Sequence, residues 1–282
     1  MKALGIFREA QNSPGRESDD ALILKAVLEN LGSMGVSCAA MTPEAFDAAD
    51  PADFDLIAPM CETYPRLMRL DALARRGTAM VNAPSAVLGC YRTRMLASFA
   101  RTPGLSYPPS AVRRTTAAAN ARPPEFAAPQ GYWIKRGDVH NTCAFDVVRA
   151  RDWAEAERVR REFEGREIAD MIVQRHVDGD LIKFYGVGPG RWFTWFYHDP
   201  AAARRLPYDP DALARQAELA AAAVGVEVFG GDAIVAPDGS IFVIDINSWP
   251  SFARVRAEAA VQIARLMRRR LSRPSARIPG GI

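Results

Sequence analysis

The stretch GGDAIVAPDGSIFVIDINSWPSF, residues 230–252, holds the pattern that decides the fold. Two runs rich in apolar and β-branched residues flank an Asp-Gly pair at 238–239, which favours a hairpin turn. If that pair is the centre of the turn, counting back along both strands places Asp232 opposite Asp245. Asn247 then lies on the same face as Asp245, because alternate residues of a strand share a face. The sequence therefore predicts two carboxylates and one carboxamide on a single surface.

This polar cluster predicts a metal site. Carboxylates that face each other across two strands repel unless a positive charge lies between them. Mg²⁺ prefers oxygen ligands and is commonly held by one or two carboxylates together with nucleotide phosphates. We therefore predict that Asp232, Asp245 and Asn247 are magnesium ligands, with Gly230 opposite Asn247 leaving open space above it. The alternative is a solvated hairpin end in which an arginine pairs with one carboxylate.

The composition excludes several classes of protein. With 282 residues, 49% hydrophobic and 24% charged, the chain is long enough to bury one large core or two to three small ones. No apolar run approaches the roughly 18–20 residues that span a bilayer, and the first residues lack a signal-peptide core. A net charge of +3 is mild for this length. We therefore expect a soluble cytoplasmic protein with no membrane or nucleic-acid partner and with reduced cysteines.

Lysine is rare in this chain. Only four of its 36 basic residues are lysine, and the rest are arginine. Two of the four, Lys135 in GYWIKRGD and Lys183 in LIKFYGVG, lie inside apolar strand-like runs. A compact ammonium group is not equivalent to a guanidinium fork, so a lysine retained in such a strand suggests a specific anionic partner. Chance retention is the alternative explanation.

Strand and helix signals alternate along the N-terminal third, which favours a small parallel sheet and places the chain in the α/β class. A connector rich in Ala, Pro and Thr follows at 114–130, and the later strands include several hairpins. We predict three α/β segments: an N-terminal domain over 1–83, a central domain over 84–170, and a C-terminal domain with the metal hairpin over 171–282.

The closing motif GGDAI…VIDINSWPSF resembles that of ATP-grasp enzymes, in which an acid on one strand and an acid-x-Asn on the next hold Mg²⁺ against ATP phosphates. MIVQRHVDGDLIKFYGVG is similar to the family's strand pair that carries the adenine hinge. GYWIKRGD is similar to the strand whose lysine contacts the α/β-phosphates, and VNAP to the junction after the N-terminal domain. The resemblance implies an ATP-grasp fold of three α/β subdomains, with ATP between the central and C-terminal ones.

The resemblance also implies a role for individual residues. Mg²⁺, or Mn²⁺ in its place, would be bound by Asp232, Asp245 and Asn247. Lys135 and Lys183 would hold phosphates and adenine or ribose groups, and Asp180 would reach the ribose hydroxyls. The adenine hinge would be formed by Gln174, Arg175, His176 and Val177.

The chain departs from the family pattern in two places. Tyr91-Arg92-Thr93-Arg94 stands where many relatives have an Asp-Lys pair, so an arginine is expected to take that phosphate contact. RGDVHNT, residues 136–142, stands where many ligases have a glycine-rich loop. Trp249 follows the metal-binding Asn, and we expect it in the core rather than in the acceptor pocket.

The resemblance favours a ligase of the glutathione-synthetase-like or glutamate-adding type, which phosphorylates a carboxylate and joins it to an amine. Its partner would be a small anionic acceptor substrate. Whether the chain forms a homo-oligomer is left open by the sequence. Candidate acceptor residues are Arg191, Arg204 and Arg205. The rival is a kinase acting on a hydroxyl, since the same stretches are similar to ATP-grasp inositol polyphosphate kinases; His140 would then lie near the transferred phosphate. A non-catalytic nucleotide-binding module is a third possibility.

Overall fold

The computed structural model describes residues 1–12, 15, 17–116, 122–138 and 143–272. Within these residues the chain forms three four-stranded sheets flanked by helices, which confirms the predicted α/β class. The strands are β1 Lys2–Ile6, β2 Ser37–Met41, β3 Leu56–Pro59, β4 Ala79–Met80, β5 Ser110–Arg114, β6 Tyr132–Arg136, β7 Val147–Ala150, β8 Asp170–Arg175, β9 Asp180–Val187, β10 Trp192–Tyr197, β11 Val228–Val235 and β12 Ile241–Ser248. The helices are α1 Glu17–Ser33, α2 Pro43–Ala48, α3 Tyr64–Arg75, α4 Pro84–Gly89, α5 Arg92–Phe99, α6 Trp153–Gly165, α7 Pro210–Val224 and α8 Arg256–Ser272.

The first sheet is parallel, with strand order β2-β1-β3-β4. Its central strands, β1 and β3, are short apolar runs buried along almost their whole length, as parallel strands require, while the edge strand β2 is partly exposed. The last helix of the chain, α8, packs against α1 on one face, so Ile263 and Leu24 belong to one hydrophobic cluster. The same cluster reaches Val228 of β11 and thus joins the first sheet to the third. No helix in the described ranges is both long and apolar enough to cross a membrane.

The second sheet has strand order β5-β8-β6-β7, and every neighbouring pair is antiparallel. Helix α6 covers it, with Val159 and Phe163 packed against Ile134 and Val173. Because β8 pairs with both β5 and β6, this sheet continues beyond residue 170. The boundary predicted between 170 and 171 therefore passes through β8, and the division of the chain into three domains stays a prediction.

The third sheet is antiparallel, in the order β10-β9-β11-β12. Asp232 pairs with Asp245 and Gly230 with Asn247, as the hairpin pattern predicts. The turn differs from the predicted two-residue form, because Val235 pairs with Ile241 and the register shifts between Asp232 and Ala233. A bulge on β12 thus offsets a longer turn, and the two carboxylates still face each other.

Candidate active site

Two rows of directly opposed residues cross the third sheet on one face. Strand pairing places Phe196, Lys183, Asp232 and Asp245 in the first row, from β10 to β12. The second row consists of Thr194, Tyr185, Gly230 and Asn247. Since neighbouring strands lie about 4.8 Å apart, the ends of each row are separated by roughly 14 Å. The predicted metal ligands therefore lie at the β11–β12 end of this face.

Each carboxylate of the first row has a cationic neighbour. Lys183 Nζ lies 2.7 Å from Asp232 Oδ1, and Arg92 Nη2 lies 3.4 Å from Asp245 Oδ2. Arg92 is 2% exposed at the first residue of α5, and its Nη1 also donates to the Arg136 carbonyl at 3.1 Å. The alternative to a metal site was a hairpin end in which an arginine pairs with one carboxylate. Such a pair is present between Arg92 and Asp245, beside the predicted metal ligands.

The oxygen atoms of this cluster fit a magnesium ion that is shared with a phosphate. Asn247 Oδ1 is buried and has no hydrogen-bond partner among the described residues, so an acceptor points into the site unused. No group of three or more His, Cys, Asp and Glu side chains in the described chain could hold a metal alone. Two carboxylates and one amide oxygen match Mg²⁺ that takes its other ligands from phosphates and water.

Gly230 does not leave the open space that the sequence suggested. A Cβ atom at this position would lie 2.8 Å from Pro250 Cγ and 2.9 Å from Tyr185 Cδ1, closer than packed atoms approach. Glycine is required here because Tyr185 and Pro250 close over the backbone of β11. The floor of the site beside Asn247 is therefore tightly packed.

Lys135 of β6 reaches the same cluster from the second sheet. It is 6% exposed, and its ammonium group donates at 3.0 Å to the carbonyl of Ile244, the residue that the bulge of β12 leaves unpaired with β11. Burial lowers the pKa of Lys135 to about 8, against the opposing effect of the Asp245 carboxylate. The lysine therefore connects the second sheet to the hairpin and still carries its charge at neutral pH.

A narrow cavity of about 350 Å³ lies between the second and third sheets. Apolar side chains form its walls, among them Val147, Leu181 and Ile234. The four predicted hinge residues also line it: Gln174, Arg175, His176 and Val177.

Two aromatic rings form one wall of the narrow cavity. Trp133 Nε1 donates to His176 Nδ1 at 3.0 Å, which assigns the imidazole proton to Nε2. Burial and the nearby Arg149 guanidinium lower the pKa of His176, while Asp178 acts in the opposite sense. At neutral pH the histidine is a neutral ring fixed by its tryptophan neighbour.

A wide cavity of about 520 Å³ opens above the two rows. Its residues come from the third sheet, from α5 and from the loop after β12. The segment after β1 adds Arg8 and Asn12, and α1 adds Asp20. Three residues line both cavities: Arg92, Asp232 and Asp245. The predicted metal cluster is thus the junction between a narrow apolar cavity and a wide polar one.

Other predicted site residues lie elsewhere. The carboxylate of Asp180 is 4% exposed and accepts from the backbone amides of Arg204 and Leu206 at 2.7 and 2.8 Å, so it orders a loop and lines neither cavity. Arg204 pairs with Asp178 at 3.0 Å, and Arg205 stacks on Tyr197. Both arginines are outside the two cavities, as is Arg191.

The remaining predictions have mixed outcomes. Lys183 lines the wide cavity rather than the narrow one that holds the hinge residues. His140 lies outside the residues that the structure describes. Trp249 is fully buried, and its Nε1 donates to the Val81 carbonyl at 2.9 Å, which confirms the expected core position.

Several cavity residues were not singled out from the sequence. Arg8 and Arg254 stand among 32 arginines, and nothing in their neighbourhood distinguishes them. Trp133 and Phe196 lie in apolar strands, where an aromatic residue is ordinarily part of the core. Only Arg92 had a signal, because the stretch from Tyr91 to Arg94 departs from the family pattern.

Solved structures share this architecture along almost the whole chain. The D-alanine–D-alanine ligase of Bacillus anthracis complexed with ATP superposes with a TM-score of 0.71 at 11% identity, covering 96% of this chain and 97% of that one. The RimK domain protein ATP-grasp of Sphaerobacter thermophilus gives 0.66 at 18% identity, covering 93% and 98%. D-cycloserine synthetase DcsG gives 0.67 at 18% identity, covering 96% and 100%.

The chain has the ATP-grasp fold. This confirms the architecture that the closing hairpin motif suggested. No protein-family model matches the sequence, and no curated protein is significantly similar to it. At 11 to 18% identity, the similarity establishes the ATP-grasp fold and leaves the reaction to be argued from the site.

Proposed function

We propose that this ATP-grasp chain is a Mg·ATP-dependent ligase that joins a carboxylate to an amine through an acyl phosphate. The observation that carries the proposal is the junction of two cavities at Arg92, Asp232 and Asp245. A nucleotide in one cavity and an acceptor in the other would meet at these charged groups. Solved structures with the same fold include a ligase complexed with ATP, which supports this reaction class.

The narrow cavity suits the base of ATP. Its apolar walls can enclose a planar ring, and the backbone between β8 and β9 supplies polar groups at one edge. The amides of Arg175 and His176 are already bonded to the carbonyls of Pro109 and Gly131. No backbone partner is present in the described chain for the amide of Val177, which leaves it for the base. Lys135 in the narrow cavity and Arg92 at the junction would contact the phosphates.

The proposed reaction has two steps. An acceptor carboxylate oxygen forms a bond to the γ-phosphorus while the bond to the β-phosphate oxygen breaks, which releases ADP. An amine nitrogen then attacks the acyl carbon, the bond to the phosphate oxygen breaks, inorganic phosphate leaves with the electron pair, and the amine loses a proton. Such chemistry asks the protein mainly to align the reactants and to balance charge.

The residues of the junction have the charges that this reaction needs. Arg92 would stabilise the transferred phosphoryl group, and Lys183 would hold Asp232 in place beside it. Asp232, Asp245 and Asn247 would hold Mg²⁺, which when bound neutralises phosphate charge. The fixed donors need no reorganisation during the reaction, because Arg92 is buried and already bonded at both ends of its guanidinium.

A kinase for highly phosphorylated acceptors fits the wide cavity less well. Three of its cations already have acidic neighbours: Arg8 has Asp20 and Glu62, Arg92 has Asp245, and Lys183 has Asp232. Several phosphate groups would need more uncompensated positive charge than these pairs provide. A small acceptor with carboxylate groups is therefore the partner we propose.

The test is to measure ADP, inorganic phosphate and hydroxamate formed from Mg·ATP and hydroxylamine, with a panel of amino acids, dipeptides, dicarboxylates and polyols. Hydroxylamine traps an acyl phosphate as a hydroxamate without any knowledge of the natural amine. Asp245→Asn removes one charge at the junction. Asp238→Asn is the matched control in the same hairpin, because Asp238 is exposed at the turn and lines neither cavity.

If the protein is a ligase, it forms ADP, free phosphate and hydroxamate in equal amounts with a carboxylate acceptor. The Asp238→Asn variant should keep this activity, and the Asp245→Asn variant should lose it. ADP without hydroxamate, with the phosphate retained on a polyol, would establish the kinase instead. Absence of ATP binding by the folded protein would exclude both enzymes.

A further inference from the structure

Arg254 is a positively charged group on the wall of the wide cavity, in the loop between β12 and α8. Its guanidinium carbon lies 4.4 Å from the centre of the Phe196 ring. A guanidinium stacked on an aromatic face is restrained in orientation while its five N–H donors stay available at the edges. Phe196 is the β10 end of the first row, so the stacked pair marks the end of the cavity floor away from Asp245.

The charge of Arg254 is not compensated within the protein. No acidic side chain of the described chain lies within ion-pair distance of it, and its guanidinium makes no hydrogen bond there. Arg8, Arg92 and Lys183, the other Arg and Lys side chains of the cavity wall, each have an acidic neighbour. An anionic group that enters the cavity therefore meets one cation that loses no existing ion pair by binding it.

Packing fixes the loop that carries Arg254. Trp249 and Phe252 are both fully buried, and the amide of Val255 donates to the Phe252 carbonyl at 2.8 Å. Arg8 donates to the Trp249 carbonyl at 2.7 Å and so ties the loop to the end of β1. A charged side chain on such a fixed segment loses less conformational entropy when it binds a ligand than one on a mobile loop.

We propose that Arg254, supported by Phe196, binds a second anionic group of the acceptor, apart from the carboxylate that is phosphorylated. The inference rests on the proposed ligase function and names its acceptor class: a small acid with two anionic groups. The acceptor carboxylate that is phosphorylated must lie at the junction of the two cavities, beside Asp232 and Asp245. Phe196 is two strand spacings, or about 10 Å, from Asp232 along the row, which sets the scale of the separation between the two anionic groups.

A carboxylate fits this position best, because one planar guanidinium binds a planar carboxylate through two parallel hydrogen bonds. Tyr185 and Pro250, which line the cavity between the two charged ends, provide an apolar surface for the body of the acceptor. A cavity of about 520 Å³ is within the size range of small-molecule sites.

The test compares acids that differ only in the second group. Succinate, glutarate and adipate are assayed beside their monoamides, glutamate beside glutamine and isoglutamine, and O-phosphoserine beside serine, all by hydroxamate formation with Mg·ATP. The protein variants are Arg254→Ala, Arg254→Lys and Phe196→Leu. Arg265→Ala is the control for loss of one positive charge, because Arg265 is exposed on α8 without a polar contact in the described chain.

We expect the wild type to prefer at least one diacid over its amide by about 10- to 100-fold in kcat/KM, as one charge-assisted contact would give. Arg254→Ala should raise KM for that diacid by the same factor, leave kcat within about threefold, and abolish the preference. Arg254→Lys should restore part of it, and Phe196→Leu should raise KM by about two- to fivefold. Arg265→Ala should match the wild type.

Equal use of diacids and amides by the wild type, or a preference that survives in Arg254→Ala, overturns the second anionic subsite and leaves the ligase function intact. If O-phosphoserine is the preferred acceptor and Arg254→Ala removes that preference, the subsite stands with a phosphate as its ligand. If the wild type forms no hydroxamate with any acid while still binding ATP, the proposed function fails, and the subsite fails with it.

Discussion

At the scale of single residues, the sequence predicts a site residue when a charged side chain stands among apolar neighbours in the chain. Lys183, Asp232 and Asp245 interrupt apolar strands, and the structure places all three in one row across the third sheet. Arg254 was not predicted, since a loop arginine conflicts with nothing. Its uncompensated charge becomes visible only when the neighbours that chain folding brings near it are known.

Arg92 is the residue whose loss should affect the reaction most directly. Arg92→Ala removes the buried guanidinium that lines both cavities, and we expect kcat to fall by about 10²- to 10³-fold, as for the loss of one fixed donor to a developing charge. Arg92→Lys should recover part of the rate, because an ammonium keeps the charge but not the fork. Arg94→Ala, at an exposed position on the same helix, is the control. Hydroxamate formation gives kcat, and a rate within twofold of wild type for Arg92→Ala would contradict the role.

Gly230 should not tolerate a side chain. Gly230→Ala places a methyl group 2.8 Å from Pro250 Cγ and 2.9 Å from Tyr185 Cδ1, and we expect the free energy of unfolding to fall by about 1–3 kcal/mol. Gly32→Ala is the matched control, because outside the backbone of α1 itself no atom of the described chain lies within 4 Å of its Cβ position; a gain of about 0.5–1 kcal/mol is expected there. Urea unfolding measures both values. Similar changes in the two variants would mean that Pro250 and Tyr185 move aside easily.

At the scale of elements, the predicted pairing of Asp232 with Asp245 in the hairpin is correct, although the loop is longer than predicted and β12 contains a bulge. These two differences cancel. A two-residue turn at 238–239 would pair Asp232 with Asp245 directly, but Gly239 donates its amide to the Ala236 carbonyl, so the loop is one residue longer. Gly239 has a φ of +81°, as such a loop requires at its last residue. The bulge on β12 restores the pairing of Asp232 with Asp245. The Asp-Gly pair fits a two-residue turn as well as this longer loop, so the sequence predicts neither the extra loop residue nor the bulge.

A second element depends on a buried acid. Glu9, 2% exposed, accepts hydrogen bonds from the amides of Glu62 and Thr63 at the start of α3 and from Arg66. Burial alone would raise the pKa of Glu9, but these hydrogen bonds outweigh it and hold that pKa below its ordinary value. The position also suits a negative charge, because the first amides of a helix have no partners within the helix.

Glu9 should therefore make stability depend on pH in the acid range. A carboxylate whose pKa is lower in the folded than in the unfolded state stabilises the protein above its unfolded pKa, and this contribution is lost as the pH falls through the folded pKa. We expect Glu9→Gln to cost about 1.5–3 kcal/mol at neutral pH, and the difference from wild type to shrink below about pH 4.5. Urea unfolding between pH 3 and 8 measures it, with Glu29→Gln on the exposed face of α1 as the control. A difference that stays constant with pH would refute the assignment.

At the scale of the whole molecule, alternating strand and helix signals predicted the class, and the closing hairpin predicted the ATP-grasp fold. The position of α8 was not predictable in the same way. Its amphipathic pattern shows that one face is buried, but the pattern does not name the partner, which is α1 of the first sheet. The assignment of β8 to the second sheet likewise depends on pairing between strands far apart in the chain.

Asn82 joins the first and third sheets through one fully buried amide. Its Nδ2 donates to the Val228 carbonyl at 2.7 Å and to Ser248 Oγ at 2.9 Å, and its Oδ1 accepts from the amides of Glu227 and Val228 at 2.8 Å each. The side chain thus uses its whole hydrogen-bonding capacity to connect the end of the first sheet to both β11 and β12. It lies next to the strands that carry Gly230 and Asn247, so the same bonds support the floor of the wide cavity.

Asn82→Ala should therefore lower the stability of the whole molecule. The substitution removes the acceptor of the Glu227 and Val228 amides and one of the two donors to the Val228 carbonyl, and we expect a loss of about 3 kcal/mol or more in the free energy of unfolding. Asn30→Ala is the matched control, because among the described residues the Asn30 amide donates only to the Ala26 carbonyl within α1, and it should cost less than about 1 kcal/mol. Urea unfolding followed by both tryptophan fluorescence and far-UV circular dichroism measures the loss. If Asn82→Ala costs no more than Asn30→Ala, the two sheets are held together by the apolar cluster of α1, α8 and β11 alone, and the amide contributes only to local geometry.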